Sequence, residues 1–323
     1  MRTILGLLIA LAVSPVFAAE PPGKIPRVGL VSSSGDARAP GPLVEAFRQR
    51  VKELGYIEGK NISFEFRYAE GKLDRVPGLV DELVRLNVDA LVVSSVPAIR
   101  AAKRAAAAVP VVMLISVDPV PLGIVESLAR PGGNITGIAS LNRDLRKEGL
   151  ELLKETLPGL ARVAVLWNVE GRASSSSFKE YQAAAGGKPQ LQSLEVRGPT
   201  PDLEGAFEAA VKGRAGALIA VSNPVLARYP KEIAALALKN RLPSMSERGG
   251  YAAAGGLMDY SPDYLDNFRR LAVYVDKILK GARPGDLAIE KTKFHLAVNL
   301  KTARQLGLAV PSDVSKRADK VIK

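Results

Sequence analysis

Short apolar runs rich in β-branched residues alternate with longer amphipathic stretches along this chain, and the alternation is played through twice. Pro26-Arg27-Val28-Gly29-Leu30-Val31-Ser32 is echoed by Ala161-Arg162-Val163-Ala164-Val165-Leu166-Trp167. Asp89-Ala90-Leu91-Val92-Val93-Ser94-Ser95 is echoed by Gly216-Ala217-Leu218-Ile219-Ala220-Val221-Ser222, and Val109-Pro110-Val111-Val112 by Leu242-Pro243-Ser244-Met245. Such runs predict buried parallel strands whose carboxyl ends open into small polar loops. Between them the amphipathic spacing predicts helices over 42–54, 75–86, 97–108, 174–185, 202–212 and 225–240, with Asp202 as an N-cap. Ile62 to Tyr68 alternates with period two, as a half-buried edge strand does. The class predicted is α/β, with two doubly wound, Rossmann-like parallel-sheet lobes whose ligand-binding rims lie beyond the strands' carboxyl ends and face each other across a cleft.

The tail departs from a plain tandem. Gly255-Gly256-Leu257-Met258-Asp259-Tyr260 reads as a strand with a flexible entry, 263–280 as a long amphipathic helix, and 293–299 as another alternating strand before two short helices. Elements left over after two complete halves must pack on one or both lobes, so the chain is expected to recross between them and form a hinge of several crossovers. The expected division is 24–137 with 259–285 in one lobe, and 138–258 with 286–323 in the other. Gly137, closing Asn134-Ile135-Thr136-Gly137, is taken as the first exit.

The amino terminus carries Arg2, an apolar core from Ile4 to Val13 and a small-residue site at Val16-Phe17-Ala18, the pattern of an export signal cleaved after Ala18. That core is too short to span a membrane and no comparable run follows. The chain contains no cysteine, which excludes disulfides, thiol nucleophiles, thiolate metal sites and a lipidated cysteine. An unanchored, soluble periplasmic protein is expected. The net charge of +12 is spread along helix faces one or two residues at a time and is not interleaved with aromatics, so a nucleic-acid partner is not expected.

Catalytic signatures are mostly missing. His295 is the only histidine, so a two-imidazole metal site is excluded and any Ser-His-Asp triad depends on that residue, with no Gly-x-Ser-x-Gly elbow to accompany it. Gly132 and Gly137 have P-loop spacing, but Ile138-Ala139 stand where Lys and Ser/Thr belong, and no Gly-x-Gly-x-x-Gly follows a strand, so no nucleotide cofactor is expected. No metal or other cofactor is expected, and the reading is of a binding protein, not an enzyme.

What remains is a set of polar residues at strand-to-helix turns: Ser33 and Ser34, Ser94 and Ser95, Ser116 and Asp118, Asn168 and Ser175, Asn223, and Glu247. Each alone has a plain alternative as a helix N-cap. Repeated in both lobes at the expected cleft, they form a carboxylate-binding set, because a helix N-terminus offers free N–H groups and the positive end of its dipole. For an amino-acid-like ligand, Ser33, Ser34 and Ser95 are expected to take the carboxylate and Asp118 or Glu247 the ammonium, both acids being replaceable without loss of folding. Trp167, aligned with Ser32 at a strand mouth, and Tyr260, just past the double glycine, are expected to cover the ligand's side chain, with core packing the alternative for Trp167.

Leu54-Gly55-Tyr56-Ile57-Glu58-Gly59-Lys60-Asn61, Arg130-Pro131-Gly132-Gly133-Asn134-Ile135-Thr136-Gly137, Gly255-Gly256-Leu257-Met258 and Lys293-Phe294-His295-Leu296-Ala297-Val298-Asn299-Leu300-Lys301-Thr302-Ala303 carry a resemblance that extends over essentially the whole chain beyond the signal. In these the chain resembles the ABC-transporter substrate-binding protein family that includes the tryptophan/tyrosine-type binding components. The resemblance implies a type I periplasmic-binding-protein fold, three hinge crossovers, and delivery of a small solute, an amino acid or related carboxylate, to permease subunits at the inner membrane. A monomer is expected. The Ala185-Gly186-Gly187-Lys188-Pro189 stretch departs from the family's longer Ala-Leu-Gly run, on the lobe exterior. An exported hydrolase-like enzyme and a ligand-sensing partner of a membrane receptor are the alternatives.

Overall fold

The computed structural model describes residues 24–32, 36, 38–105, 109–170 and 174–323, apart from the side chains of 73, 105 and 174–176. The signal segment, Ser33 and Ser34 lie outside the described residues, and so does the side chain of Ser175.

The repeated sequence pattern becomes a repeated sheet. In the first sheet the strands are β1 (Arg27–Ser32), β2 (Ser63–Tyr68), β3 (Ala90–Ser94), β4 (Val111–Ile115) and β5 (Ile135–Ala139), running in the order β2-β1-β3-β4-β5. The second sheet has β6 (Arg162–Asn168), β7 (Gln190–Val196), β8 (Ala217–Ala220), β9 (Ser244–Ser246) and β10 (Met258–Pro262), in the matching order β7-β6-β8-β9-β10. All of these pairings are parallel. The late strands extend the far edges: β11 (Glu290–Lys291) joins β5, β12 (Phe294–Asn299) joins β10 antiparallel, and β13 (Lys320–Ile322) joins β12. β2, at the other edge, is half-buried throughout, as its alternation predicts.

Helices cover both faces of each sheet. On the first, α1 (Pro42–Glu53) packs with Val44 and Phe47 on one side, while α2 (Val76–Arg85) and α3 (Val96–Ala105) pack on the other through Val80, Leu83, Ile99 and Ala102. On the second, α5 (Ser174–Ala185) brings Tyr181 to one side, and α6 (Leu203–Lys212) and α7 (Pro230–Lys239) bring Phe207 and Ile233 to the other. The expected single helix over 225–240 is divided: a 3-10 turn at Leu226–Arg228 precedes α7, because Pro230 lacks the N–H a continuous helix needs. Asp202 caps α6 as expected, accepting from the Gly205 N–H at 2.9 Å.

The fifth strand of each sheet hands its helix to the other lobe. After β5 the chain enters α4 (Asn142–Thr156), whose Leu150 and Leu153 are buried in the second lobe, and after β10 it enters α8 (Tyr264–Leu279), whose Phe268, Leu271 and Val275 are buried in the first. A third passage joins β11 to β12. Backbone bonds stitch the passages together: Thr292 N–H donates to Ala139 C=O and Asp263 N–H to Lys293 C=O, each at 3.0 Å.

These passages correct the expected boundaries. The divisions at 137/138 and 258/259 fall inside β5 and β10, and that at 285/286 falls in the Pro284–Asp286 turn ahead of β11. Gly137 is not an exit. Its φ of +138° and its closeness to Met113, whose backbone a Cβ would strike, show a glycine required for close strand approach inside the sheet.

Candidate ligand site between the lobes

In a sheet of this order the crevice for a ligand lies past the carboxyl ends of the strands where the order reverses, between β1 and β3. Ser32 ends β1 and Ser94 ends β3, and both line a cavity of about 550 Å³. Two helices start at this cavity. Gly41, at φ +84°, leads into α1 with no side-chain cap, and Ser95 leads into α3. Ser95 holds φ +137°, a strained conformation for a residue with a Cβ, which costs about 1–3 kcal/mol and concentrates where function requires it. Its hydroxyl accepts weakly from the Ala98 N–H at 3.4 Å, so capping and the cavity share this group.

The rest of the lining comes from β4, the hinge and the second lobe. Ser116 stands just beyond β4 and Ser140 just beyond β5. Ser140 is 1% exposed and its hydroxyl has no hydrogen-bond partner among the described residues. Tyr264 and Phe268, one turn apart on α8, present rings to the same cavity, with Leu43, Val44 and Leu114 completing the apolar wall. From the second lobe comes Arg248, two residues past β9. Its guanidinium makes no ion pair or hydrogen bond among the described residues, and it also lines a smaller pocket of about 90 Å³ at Val221, Ser222 and Tyr251. A third cavity, of about 170 Å³, adjoins the main one at Ser116 and is lined by Asp118, Asn142, Arg143 and Glu180.

The charges of the second rim are spent internally. Glu247 is 5% exposed; one oxygen accepts from Arg146 Nε at 2.8 Å and the other from the Ser222 N–H at 3.0 Å. Arg146, 4% exposed on α4, also donates to Glu180 and, at 2.9 Å, to the Ser177 hydroxyl, and lies over the Tyr181 ring. Burial pulls the guanidinium pKa down, but Glu247, Tyr181 and Glu180 together raise it, so the cation is held.

Several sequence expectations are therefore redistributed. Ser94, Ser95 and Ser116 meet at the cavity. Asp118 stands beside it, one oxygen accepting from the Val120 N–H at 3.0 Å. Glu247 belongs to a buried ion pair, so its carboxylate is already engaged by Arg146 and the Ser222 N–H at the place where an ammonium partner was expected. Asn223 is a cap, accepting from the Val225 and Leu226 N–H groups. Asn168 accepts from the Glu170 N–H, while its buried amide nitrogen has no partner among the described residues. Trp167 is 7% exposed in the second core, stacked on Phe178 with its N–H on Ser193 at 2.8 Å, away from the cavity. Tyr260 bonds to Glu148 and packs against Phe294 in a groove that shares no lining residue with the cavity. Arg248, Ser140, Tyr264 and Phe268 were not anticipated. The i, i+4 spacing of the two rings on a long helix was the available signal.

The family described as ABC transporter substrate binding protein matches residues 33–322. The chain belongs to that family. It is 23% identical, over 82% of its length and 76% of the relative's, to a tyrosine-binding protein of Clostridioides difficile. A conserved domain protein from Vibrio cholerae superposes with a TM-score of 0.74 at 26% identity, covering 92% of this chain and all of the other. A Streptococcus pneumoniae ABC domain solved in complex with L-Trp superposes at 0.71 with 22% identity, over 91% of this chain and 100% of that one. The fold is that of type I periplasmic binding proteins, and the protein is a solute-binding component of an ABC transporter.

Proposed function

We propose that this protein is the periplasmic receptor of an ABC importer for an amino acid, with aromatic side chains favoured, and that it passes the solute to the permease when its lobes close. The observation that carries the reading is Arg248, a cation from one lobe without an ion-pair partner among the described residues, sharing a cavity with Ser95, Ser116 and the start of α3 from the other. A carboxylate satisfies both sides at once, and a ligand bound better by the closed arrangement draws the lobes together. Asp118 and Glu180, both lining the adjoining cavity, offer carboxylates for the ammonium. Tyr264 and Phe268 supply an apolar, aromatic wall for the side chain, in keeping with relatives named for tyrosine and solved with L-Trp.

In this reading the export signal is removed after Ala18, the mature chain works as a monomer, and its only membrane contact is with the permease complex. No catalytic role is assigned: the sole histidine lies on β12 opposite Ser261, outside the cavity lining. Native mass spectrometry of the protein as purified from the periplasm, followed by calorimetry against the common amino acids, tests it. One-to-one binding of an amino acid without turnover is expected. Failure to bind any amino acid, or conversion of the ligand, would sink it.

A further inference from the structure

The polar groups of the cavity are unevenly placed. Ser32, Ser94, Ser95 and Ser116 cluster at the strand ends of the first lobe, whereas the wall built from Tyr264, Phe268, Leu114 and Val44 is apolar. Into the same cavity the first crossover delivers one more polar group, the Ser140 hydroxyl, buried and without a partner among the described residues. Buried hydroxyls are nearly always bonded, so an unbonded one lining a binding cavity marks a place where a partner arrives.

We propose that the hinge itself reads the ligand: Ser140, on the first crossover, and Tyr264, on the second, contact the solute's side chain and select an aromatic ring that carries a hydrogen-bonding atom. The inference rests on the amino-acid reading above and names the side-chain subsite within it. Tyr264 is the first residue of α8, 43% exposed, and stands one turn before Phe268, so a flat ring entering the cavity meets two rings on one helix face. A phenol or indole also brings a polar atom for Ser140, which a phenyl or an alkyl chain does not. Both contacts sit on the chain passages that set the angle between lobes. Ser140 N–H donates to Ile115 C=O at 2.6 Å, its neighbour Ala139 accepts from Thr292 on the third crossover, and Asp263, just before Tyr264, donates to Lys293 there. Recognition and closure are thereby coupled through the same few residues, so a ligand that fits the subsite gains its affinity in the closed arrangement.

The test compares wild type, Ser140→Ala and Tyr264→Leu by calorimetry with L-tyrosine, L-tryptophan, L-phenylalanine and L-leucine, and by thermal melts without ligand. Ser140→Ala should weaken tyrosine and tryptophan about three- to tenfold while leaving phenylalanine and leucine unchanged, and should not lower the ligand-free melting temperature, since only an unpartnered hydroxyl is removed. Tyr264→Leu should weaken the three aromatic ligands about two- to tenfold relative to leucine. Equal losses for all four ligands with a lowered melting temperature would make Ser140 a structural hydroxyl and overturn the proposal, as would Ser140→Ala binding tyrosine and tryptophan like wild type. If wild type itself binds none of the four, the preference for aromatic side chains in the amino-acid reading fails and this inference with it. If wild type binds and the variants do not discriminate, the hinge subsite alone is wrong.

Discussion

At the rim of the first lobe, Ser95 and Ser116 stand over open space with a strained turn and a helix start behind them, and Ser140 keeps a buried hydroxyl unbonded beside them. At the equivalent rim of the second, Arg146, Glu247, Glu180 and Ser177 bond to one another and to the Ser222 N–H, while among the described residues the Arg248 guanidinium, the Asn168 amide nitrogen and the Tyr181 hydroxyl have no hydrogen-bond partner. The two rims descend from one repeated strand pattern, yet one holds its polar groups in reserve and the other has closed them into a network. A buried hydroxyl left open, as at Ser140, raises the energy of the empty protein and is compensated when a ligand arrives, whereas a satisfied network fixes geometry and does not respond to one. Ligand energy is therefore expected from the first rim and the hinge, and stability from the second.

The largest effect should come from the network. Arg146→Ala leaves Glu247 buried beside Glu180 without its cation and should cost about 3–5 kcal/mol in urea denaturation; a loss below about 1 kcal/mol would mean that the second rim is not the rigid one. Trp167→Leu should cost about 2–3 kcal/mol through lost packing against Phe178, while ligand preference is retained. A selective loss of aromatic ligands in that variant would move the side-chain subsite to β6. Arg248→Ala, at an exposed position, should leave the urea midpoint in place and weaken amino-acid binding by about 2 kcal/mol, roughly thirtyfold. Unchanged affinity in calorimetry would remove the carboxylate assignment.

The smallest effect is one of pH. Burial, with the Glu247 charge adding to it, holds the Tyr181 phenol well above the usual 10. The unfolded chain then loses this proton first, so the contribution to stability is complete below about pH 10 and is lost as the pH rises past it. Tyr181→Phe should flatten the alkaline limb of the stability–pH curve. An unaltered limb would place the phenol outside the buried network.

The strand positions and the two-sheet plan were legible because they rest on short-range periodicity that each half displays independently. The same alternation held a signal that went unused. Val163, Val165 and Trp167 fall on one face of β6 and enter one core, while Ala164 and Leu166 enter the other, so the indole is committed to the core by its position in the strand. The exchange of α4 and α8 between lobes was out of reach of local pattern, because an amphipathic helix declares that it has a core face without declaring which core. Arg146 was hidden for a related reason: a buried arginine on a helix reads like any solvated one until its carboxylates, distant in sequence, are brought to it. Glycine punctuation misled at Gly137, where the requirement is close backbone approach inside a sheet and not a turn.

A crystal structure of the protein with bound L-tryptophan is the most direct measurement. The ligand is expected between the lobes, with its carboxylate on Arg248 and Ser95 and its ring against Tyr264 and Phe268. A ligand seated instead in the Tyr260 groove or beside Trp167, with Arg248 free in solvent, would contradict the division between an open first rim and a closed second one.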